Sequence, residues 1–222
     1  MEIKKVYKAD GKLKVWLGDV ELGFVNALRR ICIESVPVLA IDEVEFVKND
    51  SVLYDEIIAH RLGLVPLKTD LRTIKSRETC DCKGKGCNKC TITLKLQVKG
   101  KEVFSSDLKN KAIDIPFEMP ITKLTEEQEL ELQAFVCLGI GKEHAKFIPG
   151  LVWHTYVPEN FNADKPDLKI ITEESGNMKF KKDQFIFHIE SWGQLEPEEI
   201  FLSGLDVLQK KLKELDKSLG KI

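Results

Sequence analysis

Apolar residues recur along the chain at two spacings, one typical of helices and the other typical of strands. Helical spacing predicts a helix over 21–35, which ends just before a proline, and another over 53–64. An Asp-Gly pair at 10–11 predicts a hairpin turn, and strict alternation over 91–99 predicts a strand. The predicted strands cover residues 2–8, 12–17, 38–47, 91–99, 129–136, 151–157, 168–172 and 184–191.

The segment 125–136 carries two conflicting patterns. Its first four residues, Thr-Glu-Glu-Gln, match the capping box that opens many helices. The residues from 129 to 136 alternate between apolar and polar at a period of two. Because a helix would scatter such residues around its whole circumference, the alternation favours a strand here.

The final predicted element is a helix with a narrow apolar stripe. Pro197 stands where a helix-opening proline belongs, and apolar residues then recur at steps of four and three. This pattern predicts packing against another helix. The partner is the helix at 21–35 of the same chain or a helix of another subunit, and both contacts can exist together. We call these residues the apolar seam: Phe201, Leu205, Leu208, Leu212, Leu215 and Leu219.

The composition is that of an ordinary globular protein. The chain has 222 residues, of which 43% are apolar and 32% charged, and its net charge of −2 gives no overall field that would attract nucleic acid. The N-terminus lacks the apolar segment of a signal peptide, and no apolar run approaches the ~18 residues that a membrane span needs. We therefore expect a soluble, cytoplasmic protein without a membrane partner.

Four of the six cysteines fall close together, at Cys80, Cys82, Cys87 and Cys90. Their spacing is typical of a closed tetrahedral thiolate site, and a reducing compartment favours metal binding over disulfides. Four thiolates leave no position for a catalytic water, so we expect a structural Zn²⁺ ion. An iron–sulfur cluster and a metal-free disulfide knob are the alternatives. The remaining two, Cys32 and Cys137, stand among apolar neighbours and are expected to be small core residues.

The sequence offers no recognisable catalytic motif. It contains no metalloprotease histidine spacing, phosphate-binding glycine loop, nucleophile elbow or Asp-x-Asp pair, which predicts a binding or scaffold protein. One alternative is a stand-alone nucleic-acid-binding protein whose basic segment 68–101 contacts phosphates through a zinc knob. That segment holds no Phe, Tyr or Trp, so stacking on bases is not expected.

Four stretches of sequence carry a resemblance to one known family. They are LGFVNALRR at 22–30 with 35–37 and 40–42, YDEIIAHRLGLVPL at 54–67, GKEHAKF at 141–147, and ESWGQL at 190–195 with the helix that follows. Together they resemble the α-like subunits of cellular RNA polymerases, above all the archaeal members, which are akin to the third-largest subunit of eukaryotic RNA polymerase II. The resemblance covers nearly the whole chain in the family's order.

The resemblance implies an α+β fold in two domains. A discontinuous dimerisation domain, a sheet plus two long helices, would comprise residues 1–35 and 165–222. An inserted, mostly β domain over 36–164 would carry the cysteine loop at 80–90, which matches the zinc loop of the eukaryotic relatives. Some archaeal members have further cysteines late in the insert; only Cys137 stands between 91 and 165 here, so no iron–sulfur cluster is expected.

The resemblance also implies a role and a set of contacts. The chain would be a non-catalytic assembly platform of the DNA-directed RNA polymerase and would meet DNA only indirectly, through the complex. It would form a heterodimer with an L-like subunit through Phe24, Leu28, Ile31, Phe201, Leu205, Leu208, Leu212, Leu215 and Leu219. It would dock the second-largest and largest subunits, beside other small subunits, through Asn26, Arg29, Arg30, Asp55, Glu56, His60, Arg61, Lys142, Glu143 and His144.

Overall fold

The structure, a computed structural model, describes residues 1–72, 74–83, 85–109, 112–164, 166 and 179–220. The helices of this part of the chain are α1 (Leu22–Glu34), α2 (Asp55–Gly63) and α3 (Pro197–Leu219). The strands are β1 (Glu2–Ala9), β2 (Lys12–Gly18), β3 (Pro37–Asn49), β4 (Thr91–Lys99), β5 (Glu102–Phe104), β6 (Pro120–Lys123), β7 (Glu129–Ile140), β8 (Gly150–Pro158) and β9 (Phe180–Ser191). The strand predicted over 168–172 lies outside the described residues, and the other predicted elements are confirmed.

The chain divides into two units, and the second is inserted into the sequence of the first. The first unit comprises Met1–Val36, Pro149–Trp192 and Glu196–Ile222, and the second comprises Pro37–Ile148 and Gly193–Leu195. The expected end of the insert at residue 164 is therefore wrong. β8 pairs with β9 along its whole length, so this strand belongs to the sheet of the first unit.

The first unit is an antiparallel sheet in the order β1-β2-β9-β8, with α1 and α3 packed against it. Phe187 of β9 meets Phe201 of α3 edge to face, with ring centroids 5.7 Å apart. The two helices approach closely at Gly204, where a Cβ would lie 2.5 Å from Sγ of Cys32. A larger residue at 204 would push the helices apart, and the fully buried Cys32 is the small core residue that we expected.

The second unit is built on an antiparallel sheet in the order β3-β7-β4, with a two-stranded ribbon of β5 and β6. Alternate residues of the central strand β7 point into an apolar core, and α2 contributes further buried side chains to the same core. The members from these two elements are Leu130, Leu132, Ala134, Val136, Ile58 and Leu62.

The conflict at 125–136 is resolved in favour of the strand. The capping pattern forms a tight turn instead of a helix. In that turn the N–H of Thr125 donates to Oε1 of Gln128 at 2.9 Å, and the N–H of Gln128 donates to the Thr125 carbonyl at 3.0 Å. The turn leads directly into β7. No helix in the described part of the chain is long and apolar enough to cross a membrane.

Candidate functional site

The loop that carries the four cysteines is a series of tight turns. The N–H of Lys83 donates to the Cys80 carbonyl at 3.1 Å, and the N–H groups of Cys90 and Thr91 both donate to the Cys87 carbonyl at 2.9 Å. Gly86 takes a left-handed conformation (φ 79°), which glycine adopts without steric cost. These turns bring side chains that are seven and eight residues apart to one point.

The four sulfur atoms of this thiolate cluster (Cys80, Cys82, Cys87 and Cys90) face one another. The Sγ atoms are separated by 3.5 Å for Cys80–Cys87, 3.5 Å for Cys82–Cys90 and 3.9 Å for Cys87–Cys90, and the four lie within 4.8 Å of one another. A tetrahedral zinc ion with Zn–S bonds of ~2.3 Å would hold its sulfur atoms about 3.8 Å apart. The predicted ligands are therefore brought together at spacings that fit one metal ion.

Crowding of the thiols makes one of them easy to ionise. Burial opposes ionisation of Cys82, but hydrogen bonds from the Cys80 and Cys90 thiols outweigh it and lower the pKa of Cys82 to about 6. A backbone hydrogen bond from Cys82 favours the Cys80 thiolate, but burial and the thiol neighbours raise the pKa of Cys80 to about 12. A bound cation would stabilise all the thiolates at once, since metal binding displaces their protons.

The cysteine segment has almost no apolar interior. Among the described residues from 71 to 90, only Cys80 and Cys90 are buried. The base of the loop is closed by one backbone hydrogen bond, from the N–H of Lys75 to the Lys89 carbonyl at 3.0 Å. A metal ion in the thiolate cluster would therefore be the main cross-link that holds this segment together.

Helix α3 has a packed half and an exposed half. In its packed half Phe201 is only 6% exposed, and Leu205 and Leu208 are half-buried. Beyond the contact between Lys211 Nζ and Ser35 Oγ at 3.1 Å, the apolar seam stands out from the unit. We call its last three residues, which are 53%, 54% and 57% exposed, the leucine stripe: Leu212, Leu215 and Leu219.

The dimer-interface residues suggested by the resemblance thus fall into two groups. Leu28 (0% exposed), Ile31 (9%) and Phe201 lie in the core of their own unit, where α1 meets α3, and Phe24 is half-buried. They stabilise the first unit itself, where the first half of α3 packs against α1. The leucine stripe, by contrast, presents apolar surface to the outside.

The three polar residues suggested on α1 differ in their surroundings. Arg30 is exposed, and its Nε donates to Oε1 of Glu34 at 3.4 Å. Arg29 and Asn26 are half-buried. Arg29 lies near His154 of β8, where burial and then the guanidinium charge lower the pKa of the histidine. Arg30 is therefore the more accessible of the two arginines.

The suggested residues of α2 are exposed, but two of them have partners within the chain. Nη1 of Arg61 donates to the Ile121 carbonyl at 2.6 Å, which ties α2 to β6. Oδ1 of Asp55 accepts from Nδ2 of Asn49 at 2.7 Å. Arg61 therefore links two elements of the second unit. The helix pattern did not predict this contact, because it places Arg61 on the polar face of α2.

His60 and His144 border the same hollow, although they are far apart in sequence. The hollow has a volume of about 230 Å³ and lies between α2, β3 and the segment after β7. Its lining includes Asp42, His60, Gly63, Leu64, His144 and Lys146. The neighbouring Lys142 and Glu143 are exposed. The structure thus brings two of the predicted docking segments together on one surface of the second unit.

Asp42, which the sequence did not single out, joins the cysteine segment to the hollow. Its Oδ1 accepts from Nζ of Lys146 at 2.6 Å, and its Oδ2 accepts from Nη1 of Arg77 at 3.4 Å. Burial alone would raise the pKa of this carboxyl group, but Lys146, a hydrogen bond from the Cys137 thiol and the charge of Arg77 hold the pKa below its ordinary value. Asp42 is therefore a carboxylate held between two positive charges.

Known proteins resemble this chain over almost its full length. It is 32% identical to DNA-directed RNA polymerase subunit Rpo3 of Methanothermobacter thermautotrophicus, over 97% of both chains. It is 34% identical to the subunit of the same name from Thermococcus kodakarensis, over 95% of both. It is also 32% identical to DNA-directed RNA polymerase II subunit rpb3 of Dictyostelium discoideum, over 90% of this chain and 88% of that one.

The chain belongs to the Rpo3/Rpb3 family of RNA polymerase subunits. It is thus a component of a DNA-directed RNA polymerase. The family model described as the RNA polymerase Rpb3/RpoA insert domain matches residues 40–149, nearly the same span as Pro37–Ile148 of the second unit. The thiolate cluster and the hollow of this polymerase subunit therefore both lie within the matched region.

Proposed function

We propose that this polymerase subunit is a non-catalytic assembly platform. It forms a heterodimer with an L-like subunit through the exposed half of α3, and it docks the large catalytic subunits through Arg30 and the surface around the hollow. A structural zinc ion occupies the thiolate cluster, and no iron–sulfur cluster is present. The subunit meets DNA only through the assembled enzyme.

The observation that carries this proposal is the leucine stripe. Three large apolar side chains at positions typical of a helix–helix seam are each more than half exposed, on a helix whose first half is packed. Contiguous apolar surface of this kind marks protein–protein interaction sites. Because a second helix with its own apolar stripe would bury these leucines, a helical partner subunit fits this surface best.

The docking surfaces are supported by the exposed charged residues of α1, α2 and the segment 142–144. Arg30, Glu56 and His60 have accessible side chains on helices, and helices hold such groups in fixed directions. An arginine in such a place presents a planar set of donors that suits carboxylates and backbone carbonyls of a partner. The alternative of a stand-alone nucleic-acid-binding protein is disfavoured by the full-length similarity to polymerase subunits.

Co-expression with an L-type subunit, followed by size-exclusion chromatography with light scattering, tests the proposal. We expect a stable one-to-one complex for the wild type. Leu212→Asp should weaken it by at least about tenfold, since a carboxylate would be buried without a partner. Lys210→Asp is the matched control, because residue 210 is exposed on the same helix but lies off the stripe. Arg30→Ala should keep the heterodimer and weaken docking of the second-largest subunit in a reconstitution.

Two results would count against the platform. Co-purification of Leu212→Asp with the partner at wild-type yield would show that the leucine stripe is not part of the interface. A monomer that does not bind the L-type subunit, and whose affinity for DNA falls steeply with salt, would favour the nucleic-acid-binding alternative.

A further inference from the structure

We propose that Asp42 is a positioning residue that couples metal binding in the thiolate cluster to the shape of the hollow beside His60 and His144. The role of the hollow in docking rests on the proposed function. The coupling itself concerns only contacts within the second unit of this chain.

The first link runs from the metal ligands to Asp42. Arg77 lies three residues before Cys80, in a turn where the N–H of Thr79 donates to the Ser76 carbonyl at 3.2 Å. Its Nη1 donates to Oδ2 of Asp42 at 3.4 Å and to Oε1 of Glu43 at 3.0 Å. Because the turn continues directly into the first ligand, the position of this guanidinium depends on whether the cysteine loop is held in place.

The second link runs from Asp42 to the hollow. Asp42 occupies an irregularity of β3, where the register against β7 shifts between Ile41 and Glu43. Such bulges redirect a side chain relative to the regular strand. Here Oδ1 accepts from Nζ of Lys146, a side chain only 13% exposed that forms part of the lining of the hollow.

The third link joins Lys146 to a predicted docking residue. The backbone N–H of Lys146 donates to Nδ1 of His144 at 3.1 Å. The short turn that follows is closed by the N–H of Phe147 to the His144 carbonyl and the N–H of Ile148 to the Ala145 carbonyl, both at 3.0 Å. A movement of the Lys146 side chain is therefore passed to the backbone that carries His144.

The chemistry of one shared carboxylate makes these links act together. Both oxygens of Asp42 lie in one rigid plane, so a change at the oxygen bound to Arg77 reorients the oxygen bound to Lys146. When the cluster loses its metal, the turn before Cys80 is released, Arg77 withdraws, and Asp42 rotates toward its remaining cation. Glu43 contacts Arg77 as well, but it has no contact with Lys146 in the described structure, so it provides a matched control.

Residue-resolved hydrogen exchange of the 222-residue chain, with zinc and after chelation, tests the coupling. In the wild type, zinc removal should speed exchange in 76–90 and also raise it about fivefold at Phe147 and Ile148, and added zinc should reverse both changes. In Asp42→Asn, exchange at Phe147 and Ile148 should be equally fast with and without zinc. Glu43→Gln should respond like the wild type.

Several outcomes would overturn the coupling. The first is hydrogen exchange at Phe147 and Ile148 that does not change on zinc removal although exchange in 76–90 does. The second is a zinc response in Asp42→Asn as large as that of the wild type. The third is a chain that binds no zinc. If circular dichroism shows Asp42→Asn unfolded, Arg77→Gln replaces it, because it keeps the Asp42–Lys146 pair and must still abolish the response. No partner is present in this experiment, so loss of docking and loss of coupling remain distinguishable.

Discussion

The cysteine segment and the sheet core lie in the same unit of the molecule, yet they are stabilised in opposite ways. The sheet core gathers apolar side chains from β3, β4, β7 and α2, and its members are almost fully removed from solvent. Between residues 71 and 90, the only buried side chains in the described structure are two of the four thiols. The sheet core is stabilised by many apolar contacts, whereas the cysteine segment depends on the one place where its four thiols meet.

This difference predicts different responses to damage. Apolar burial contributes roughly 25 cal/mol per Å², spread over every residue of the core, so its loss is felt by the whole unit. A structural zinc ion binds small peptides with about 10–16 kcal/mol, concentrated in four bonds. Removing the ion should therefore open one segment completely while the neighbouring sheet stays folded.

The largest expected effect on the second unit as a whole is in the sheet core. Leu96→Ala removes a side chain that is 1% exposed and should lower the free energy of unfolding of the second unit by about 2–5 kcal/mol. Hydrogen exchange of the β7 amides measures that quantity. Leu64→Ala, at a side chain 49% exposed, should cost less than about 1 kcal/mol. Equal losses for the two variants would show that the sheet core is not the main source of stability.

The next effect separates the two regions directly. Cys90→Ser should release zinc and make the lysine- and arginine-rich segment 74–90 sensitive to trypsin, while exchange of the β7 amides changes by less than about tenfold. Cys32→Ser is the control, since Cys32 is buried in the first unit and should leave the zinc content unchanged. Unfolding of β7 together with the segment would mean that metal and sheet form one cooperative unit.

The smallest expected effect concerns the ion pairs of the cysteine segment. The carboxylate of Asp81 lies 3.6 Å from Nζ of Lys75 and 4.0 Å from Nζ of Lys89, and all three side chains are more than half exposed. Exposed ion pairs contribute little, so Asp81→Asn at saturating zinc should change the rate of trypsin cleavage by less than about threefold. If trypsin cleaved Asp81→Asn as fast as Cys90→Ser, the ion pairs and not the metal would be the main source of the segment's stability.

Local sequence patterns predicted most of the elements, because each pattern reports on its own segment. The alternation over 91–99 coincides with β4, Thr91–Lys99, and the alternation from residue 129 outweighed the capping pattern before it. The short strand β6 escaped notice because it has four residues and begins with a proline. The domain boundary failed for another reason, since the assignment of β8 depends on its pairing with β9, which no local pattern contains.

The candidate site shows the same division between local and distant information. The four cysteines were found together because their spacing is itself the signal of a metal site. The hollow was not found, because its two histidines come from segments on either side of the cysteine loop in sequence. Asp42 ends the family stretch 40–42 and Arg77 lies in the basic segment 68–101, and only the fold shows that Asp42 lies between Arg77 and Lys146.

The nested path of the chain also sets an order of events during protein synthesis. Nearly all of the second unit has been made before β9 exists, whereas Leu13 of β2 must wait for Ile189 to complete the first sheet. Domains usually fold as units while the chain is still growing, so the inserted unit can fold while the first unit is still incomplete. α3 is made after every other described helix and strand. If the leucine stripe is the contact for assembly, a chain that is released before α3 has been synthesised would lack this contact.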